Sequence, residues 1–358
     1  MAPSLLPWLH LAICVGLIGV AGPVLVRYGD AIAELTGLSR SWIGLVLVAA
    51  ATSLPELFTG VSAVTVAGTP NIAVGDALGS CVFNLVMLVL LDELSRGEPM
   101  YRRIDQGHIL TAAFGVILVG TVGAFLLLSQ EALVFPILHV GASTPLIIAI
   151  YLVAMRAAFV YERRAHPRAA SGKGEATITL RAAALRYAAA AVVIAIAGSW
   201  LPFVGGEIAT TMGWKTTFVG TLLIAGTTSV PELVVTVSAL RRGAEDMAIG
   251  SLLGSNLFDI LIVAVDDLSY RKGPLLLAVS PAHAITAVAG TIMSGIFIVA
   301  MFSSRRHAWA ARSAGSASRC SSSTCSAPIR SSCWAIEQGR RRARAGRAER
   351  APPPAWPR

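Results

Sequence analysis

Thr52-Ser-Leu-Pro-Glu56 and Thr228-Ser-Val-Pro-Glu232 each set two hydroxyls, a proline and a glutamate in the middle of an apolar stretch. A carboxylate inside a membrane helix is costly enough to mark a functional site. The likeness extends well beyond five residues. At an offset of 176, Leu57, Val61, Ser62 and Ala63 also coincide with Leu233, Val237, Ser238 and Ala239. After a one-residue gap, Ala73, Gly75, Leu78, Gly79, Ser80 and Phe83 coincide with Ala248, Gly250, Leu253, Gly254, Ser255 and Phe258. The chain is an internal duplication.

Composition places that duplication in a membrane. Of 358 residues, 55% are hydrophobic and 14% charged, against about 25% charged in soluble domains, and the mean hydropathy is +0.68. The net charge of +9 is concentrated at one end, since residues 303–358 hold 12 of the 29 Lys and Arg but 2 of the 20 Asp and Glu. The body is nearly neutral, so nucleic acid is not an expected partner; the lipid bilayer is. Cys14, Cys81, Cys320, Cys325 and Cys333 form no CxxC pair and no Cys/His metal spacing. Ile13 before Cys14 is too large for a lipoprotein cleavage box, and no basic segment precedes it, so a first membrane helix is expected there, not a signal peptide.

Nine segments are apolar for about the 20 residues a span needs: 5–26, 42–67, 72–91, 109–128, 143–161, 184–204, 216–240, 247–265 and 281–302. Lys and Arg collect after the odd-numbered spans, as in Arg96, Arg102 and Arg103 or Arg163, Arg164, Arg168, Lys173 and Arg181. The positive-inside rule makes those loops cytoplasmic and the N-terminus external. The two motif spans then run in opposite directions, an inverted repeat of the kind that places a transport site at the repeat interface. Pro55 and Pro231 remove helical hydrogen bonds and free carbonyls there.

The next span of each half supplies Gly79-Ser-Cys-Val-Phe-Asn84 and Gly254-Ser-Asn-Leu-Phe-Asp259. Residues four apart share a helix face, so Ser80 with Asn84, and Ser255 with Asp259, can point at the glutamates. Gly75, Gly79, Gly250 and Gly254 form a small-residue stripe that permits close helix approach. The resulting pocket is all oxygen, suits hard cations such as Ca²⁺ and lacks the soft ligands of copper or zinc sites. No Lys or Arg lies inside these four spans, so the compensating charge must be a bound cation or proton.

These paired motifs resemble the α-repeats of the calcium/cation antiporter superfamily, and the Thr-Ser-x-Pro-Glu form is most similar to its sodium/calcium exchanger family. The resemblance covers residues 5–302. It implies an all-α membrane protein of ten helices in two inverted five-helix halves, a secondary transporter and not an enzyme. It implies no cofactor; Ca²⁺ and Na⁺, or H⁺, are the transported ions. By position, Glu56 and Glu232 would be shared calcium and sodium ligands. Thr52, Ser53, Ser80, Thr228, Ser229 and Ser255 would line sodium sites with the carbonyls of Ala49 and Ala225, and Asn84 and Asp259 match an amide/acid pair. Ala51 and Cys81 depart from the family's Gly and Asn at those places.

The expected organisation is a first repeat over 1–162, a cytoplasmic linker over 163–181, a second repeat over 182–302 and a basic low-complexity tail over 303–358. That tail holds no apolar run long enough for the tenth span, and its Arg, Ala, Ser and Pro bias suggests a frameshift near residue 303; a disordered tail drawn to anionic lipid is the other reading. The expected location is the inner (plasma) membrane of a prokaryote. Asp92, Glu93, Asp266 and Asp267 read as interfacial, Cys81 as packing, and Asp76, whose counterpart is Ser251, as a vestibule or helix-contact residue. Divalent cation/H⁺ antiport is the runner-up function. An inactive or structural membrane protein is a further alternative. An intramembrane aspartyl protease is a remote one, because it needs paired aspartates sharing a proton. No protein partner is indicated.

Overall fold

The computed structural model describes residues 5–36, 43–95, 100–102, 104–129, 136–137, 139–165, 178–241, 243 and 245–321. Seven helices are long and apolar enough to cross a membrane, because a span in lipid must satisfy its backbone internally. They are α1 (Leu6–Thr36), α4 (Pro70–Leu94), α5 (Gly107–Leu128), α6 (Ser143–Ala165), α7 (Leu180–Met212), α11 (Glu245–Ser269) and α12 (His283–Ser321).

The two motif segments differ from these in being broken, as Pro55 and Pro231 predict. The first consists of a wide π-type turn at Ile43–Val48, α2 (Ala49–Thr52), α3 (Leu54–Ser62) and a second π-type turn at Ala63–Ala67. The second runs α8 (Thr216–Phe218), a π-type turn at Val219–Ile224, α9 (Ala225–Thr228) and α10 (Val230–Arg241). Its two arms meet at 42°. Gly68 and Gly243, equivalent at the offset of 175, end these segments with φ of +66° and +70°, where a Cβ would be strained. Pro70 then opens α4 at a position whose N–H is not needed.

Burial identifies the centre. In α4 and α11, 72% and 83% of the spanning window is buried, against 22–33% in α1, α6 and α12. The motif segments cross over onto these two helices: α4 packs on Val219–Ile224 and α11 on Ile43–Val48. The small-residue stripe makes this possible. A methyl group at Gly79 would stand 2.5 Å from Thr221 O, and one at Gly254 would collide with Leu45 O, the equivalent carbonyl. Around this centre, α1 packs along α7 and α5 along α6. Leu5, Val20, Leu185 and Ile285 expose apolar side chains outward, as lipid-facing residues do.

The fold is not purely helical. Between α5 and α6 lies a two-stranded antiparallel hairpin, β1 (Pro136–Ile137) and β2 (Val140–Gly141). Asp267, expected at an interface, is 2% exposed and ties this region together. Its Oδ2 accepts from Gly141 N at 2.8 Å and from Thr144 Oγ1, and its Oδ1 accepts from Leu275 N at 2.6 Å. The expected tail is described only through Ser321, where α12 ends; residues 322–358 and most of the 163–181 linker lie outside the described residues.

Candidate cation site

Both motifs break at the second hydroxyl. Ser53 has φ −85° and ψ 12°, Ser229 has φ −78° and ψ 5°, and a new helix starts at the next residue in each case. The cause is the proline two residues on. Pro55 and Pro231 have no N–H to give the carbonyls of Ala51 and Thr227, four residues earlier. Each glutamate thus sits in the first turn of a fresh helix, where the N-terminal amides favour negative charge.

The candidate residues converge. Glu56, Glu232, Asp259, Asn84, Thr52, Ser53, Ser80, Thr228, Ser229 and Ser255 are all no more than 1% exposed. Their contacts repeat from one half to the other. Thr52 Oγ1 lies 3.3 Å from Ser255 Oγ, and Thr228 Oγ1 lies 3.5 Å from Ser80 Oγ. Ser80 donates to Glu56 Oε1 at 3.3 Å, and Ser229 donates to Ser80 Oγ at 3.3 Å. Asn84 meets its own counterpart, Nδ2 donating to Asp259 Oδ2 at 3.4 Å and to Asn256 Oδ1 at 3.0 Å.

Several of these oxygens have nothing to bind. Ser53 Oγ, Glu56 Oε2, both oxygens of Glu232, Asn84 Oδ1 and Asp259 Oδ1 are buried without a hydrogen-bond partner. Among the residues whose side chains are described, no Lys or Arg is buried. Buried charge of one sign without a partner is strongly unfavourable, so positive charge must enter with an ion or proton. Among the described residues no three His, Cys, Asp or Glu side chains form a compact metal centre. A cation here would draw on hydroxyl and amide oxygens beside the acids.

Several of the expected residues have further contacts. The carbonyls of Ala49 and Ala225 do not stand free: each accepts from the serine N–H four residues on, at 3.0 Å, and from the threonine hydroxyl three residues on, at 3.1 and 3.2 Å. Cys81 does more than fill space, because its thiol reaches Asn256 O at 3.7 Å and Asp259 Oδ2 at 3.9 Å.

Asp76 belongs to this region as well. It is 1% exposed and its Oδ1 accepts from Thr228 Oγ1 at 2.9 Å, while its counterpart Ser251 is buried with no partner for its hydroxyl. The sequence offers Asp76 as a vestibule or helix-contact residue, and the contact it makes is with the second motif segment. Asp266, expected at an interface, is 0% exposed and lies against Gly60.

The family model described as sodium/calcium exchanger protein matches residues 6–161 and 183–313. The chain belongs to the sodium/calcium exchanger family. The two matched blocks flank the stretch expected to link the halves. Among relatives of this exchanger, the inner membrane protein YrbG of Escherichia coli is 24% identical over 295 residues, covering 74% of this chain and 86% of that one. Two solved structures share the exchanger's fold. The sodium-calcium exchanger NCX_Mj, soaked with Na⁺ and Ca²⁺, is 20% identical with a TM-score of 0.56, over 82% of this chain and 90% of that one. The H⁺/Ca²⁺ exchanger CAX is 13% identical with a TM-score of 0.59, over 84% and 88%. At such identities the likeness is one of fold, and the fold is common to sodium- and proton-coupled exchangers.

Proposed function

We propose that this exchanger moves Ca²⁺ against Na⁺ through one central site, with Glu56 and Glu232 holding the two ions in turn. The observation that carries the reading is the meeting of both motifs in one buried set of oxygens, with unpartnered glutamate oxygens and no buried Lys or Arg among the residues whose side chains are described. Ser53, Ser80, Ser229, Ser255, Thr52 and Thr228 would supply neutral oxygens for Na⁺, and Asn84 and Asp259 an amide and an acid for Ca²⁺, which takes about 6–8 oxygen ligands.

Coupling follows from electrostatics. An empty site would carry uncompensated carboxylates through a low-dielectric layer, which is strongly unfavourable. The halves therefore change access only when loaded, and one ion must leave for the other to return. The halves are proposed as inverted, over 1–162 and 182–302, with the 163–181 linker and the 303–358 tail cytoplasmic. The N-terminus is external and the membrane is the inner membrane of a prokaryote. The reciprocal contacts of α4 and α11 support the inversion.

Proton coupling is the second reading, favoured by the similarity of fold to CAX and by carboxylates that protons alone could neutralise. The six hydroxyls weigh toward sodium, because proton binding does not require them. The test is uptake of radiolabelled Ca²⁺ into proteoliposomes, driven by an outward Na⁺ gradient while a protonophore collapses the pH gradient. Sustained uptake is expected. Its loss under the protonophore, together with Ca²⁺ uptake driven by a pH gradient alone, would replace sodium with protons.

A further inference from the structure

Asp266 is the buried acid that central exchange leaves unused. It is 0% exposed, and neither carboxylate oxygen has a hydrogen-bond partner. It faces Gly60 so closely that a methyl group there would collide with both oxygens. Gly60 lies one turn beyond Glu56, and Asp266 lies seven residues beyond Asp259, about 10 Å along α11 at about 1.5 Å per residue. That separation is too long for one ion to touch both aspartates. The neighbouring Asp267 is engaged instead by Gly141, Thr144 and Leu275.

The arrangement has no equivalent in the other half. At the repeat offsets, Asp266 corresponds to Leu91 and Gly60 to Thr236, so the acid and the glycine that admits it occur on one side of the central acids only. We propose that Asp266, its carboxylate seated directly against Gly60, is a separate holding position for a monovalent cation on its way to the central site. One carboxylate balances one positive charge, whereas Ca²⁺ would leave a buried charge uncompensated at this position. The proposal rests on the exchange reading above and adds a sidedness to it.

The test compares wild type and Asp266→Asn as full-length protein in proteoliposomes, using Ca²⁺/Ca²⁺ exchange, which needs the central site alone, and Ca²⁺ transport driven by Na⁺ or by H⁺ supplied from each face in turn. Ca²⁺/Ca²⁺ exchange is expected to stay within about twofold. The half-saturating concentration of the driving cation should rise about tenfold, the loss of one charge-assisted contact, from one face only. Gly60→Ala, which crowds the same position, should shift it in the same direction. Whichever arm moves, Na⁺ or H⁺, identifies the ion. No shift from either face, equal shifts from both, or loss of Ca²⁺/Ca²⁺ exchange in Asp266→Asn would overturn the proposal. Failure of wild type itself to exchange Ca²⁺ would instead defeat the central-site reading.

Discussion

Thr52 and Ser255 stand 203 residues apart in the chain, yet their hydroxyl oxygens are 3.3 Å apart, and Thr228 and Ser80 make the same contact at 3.5 Å. Each broken segment therefore completes its oxygen set with a side chain from the other half. Neither half holds a whole site alone, so moving one against the other changes the site itself.

The glutamates should be indispensable. Glu56→Gln and Glu232→Gln keep shape and remove charge, and each is expected to lower Ca²⁺ transport more than about 100-fold, a loss of roughly 3 kcal/mol or more. Initial rates in proteoliposomes check this, with thermal unfolding in detergent to establish that both variants fold.

The hydroxyls should separate the two ions. Thr52→Val and Thr228→Val preserve volume and remove one oxygen each, so the half-saturating Na⁺ concentration is expected to rise about tenfold with a smaller effect on Ca²⁺/Ca²⁺ exchange. Equal effects on both ions would mean that the hydroxyls act through packing. Thr228→Val should be the more severe of the pair, because it also takes the donor from Asp76.

Close approach of the motif segments to α4 and α11 predicts a packing effect. Gly79→Ala and Gly254→Ala place a methyl group against the carbonyls of Thr221 and Leu45. Each is expected to cost about 1–3 kcal/mol as overpacking, read as a lowered unfolding temperature. Gly115→Ala, with nothing within 4 Å of its new methyl, is the control and should leave that temperature unchanged.

Asp267 should matter for stability and not for transport specificity. Asp267→Asn weakens three hydrogen bonds that join α11 to the hairpin and to Leu275. A loss of about 2–4 kcal/mol is expected, since bonds to a charged group contribute about 1.5–3 kcal/mol each and the amide keeps part of them. Thermal unfolding checks the loss, and an unchanged ratio of Na⁺ to Ca²⁺ half-saturation checks the second clause.

Much of the site was legible because duplication acts as an internal alignment. Thr52, Ser53 and Glu56 could be paired with Thr228, Ser229 and Glu232 by eye, and Pro55 and Pro231 announced the breaks at Ser53 and Ser229. The same logic passed over Asp76 and Asp266, because their counterparts are Ser251 and Leu91 and repetition carries no signal where the halves differ. Asp266 and Asp267, read as interfacial from their place at the end of an apolar run, are in addition buried by packing that sequence spacing does not reveal. The carbonyls of Ala49 and Ala225 could not be judged from sequence, since whether the Thr52 and Thr228 hydroxyls fold back onto them depends on side-chain rotamers.

Competition at equilibrium addresses the shared site most directly. Ca²⁺ binding to the purified protein should be titrated by calorimetry at rising Na⁺, at one pH and constant ionic strength. The apparent Kd for Ca²⁺ is expected to rise continuously with Na⁺ while the number of Ca²⁺ bound at saturation stays the same, and to lose that dependence in Glu232→Gln. A Kd for Ca²⁺ that does not move with Na⁺ would contradict a site at which Glu56 and Glu232 hold the two ions in turn.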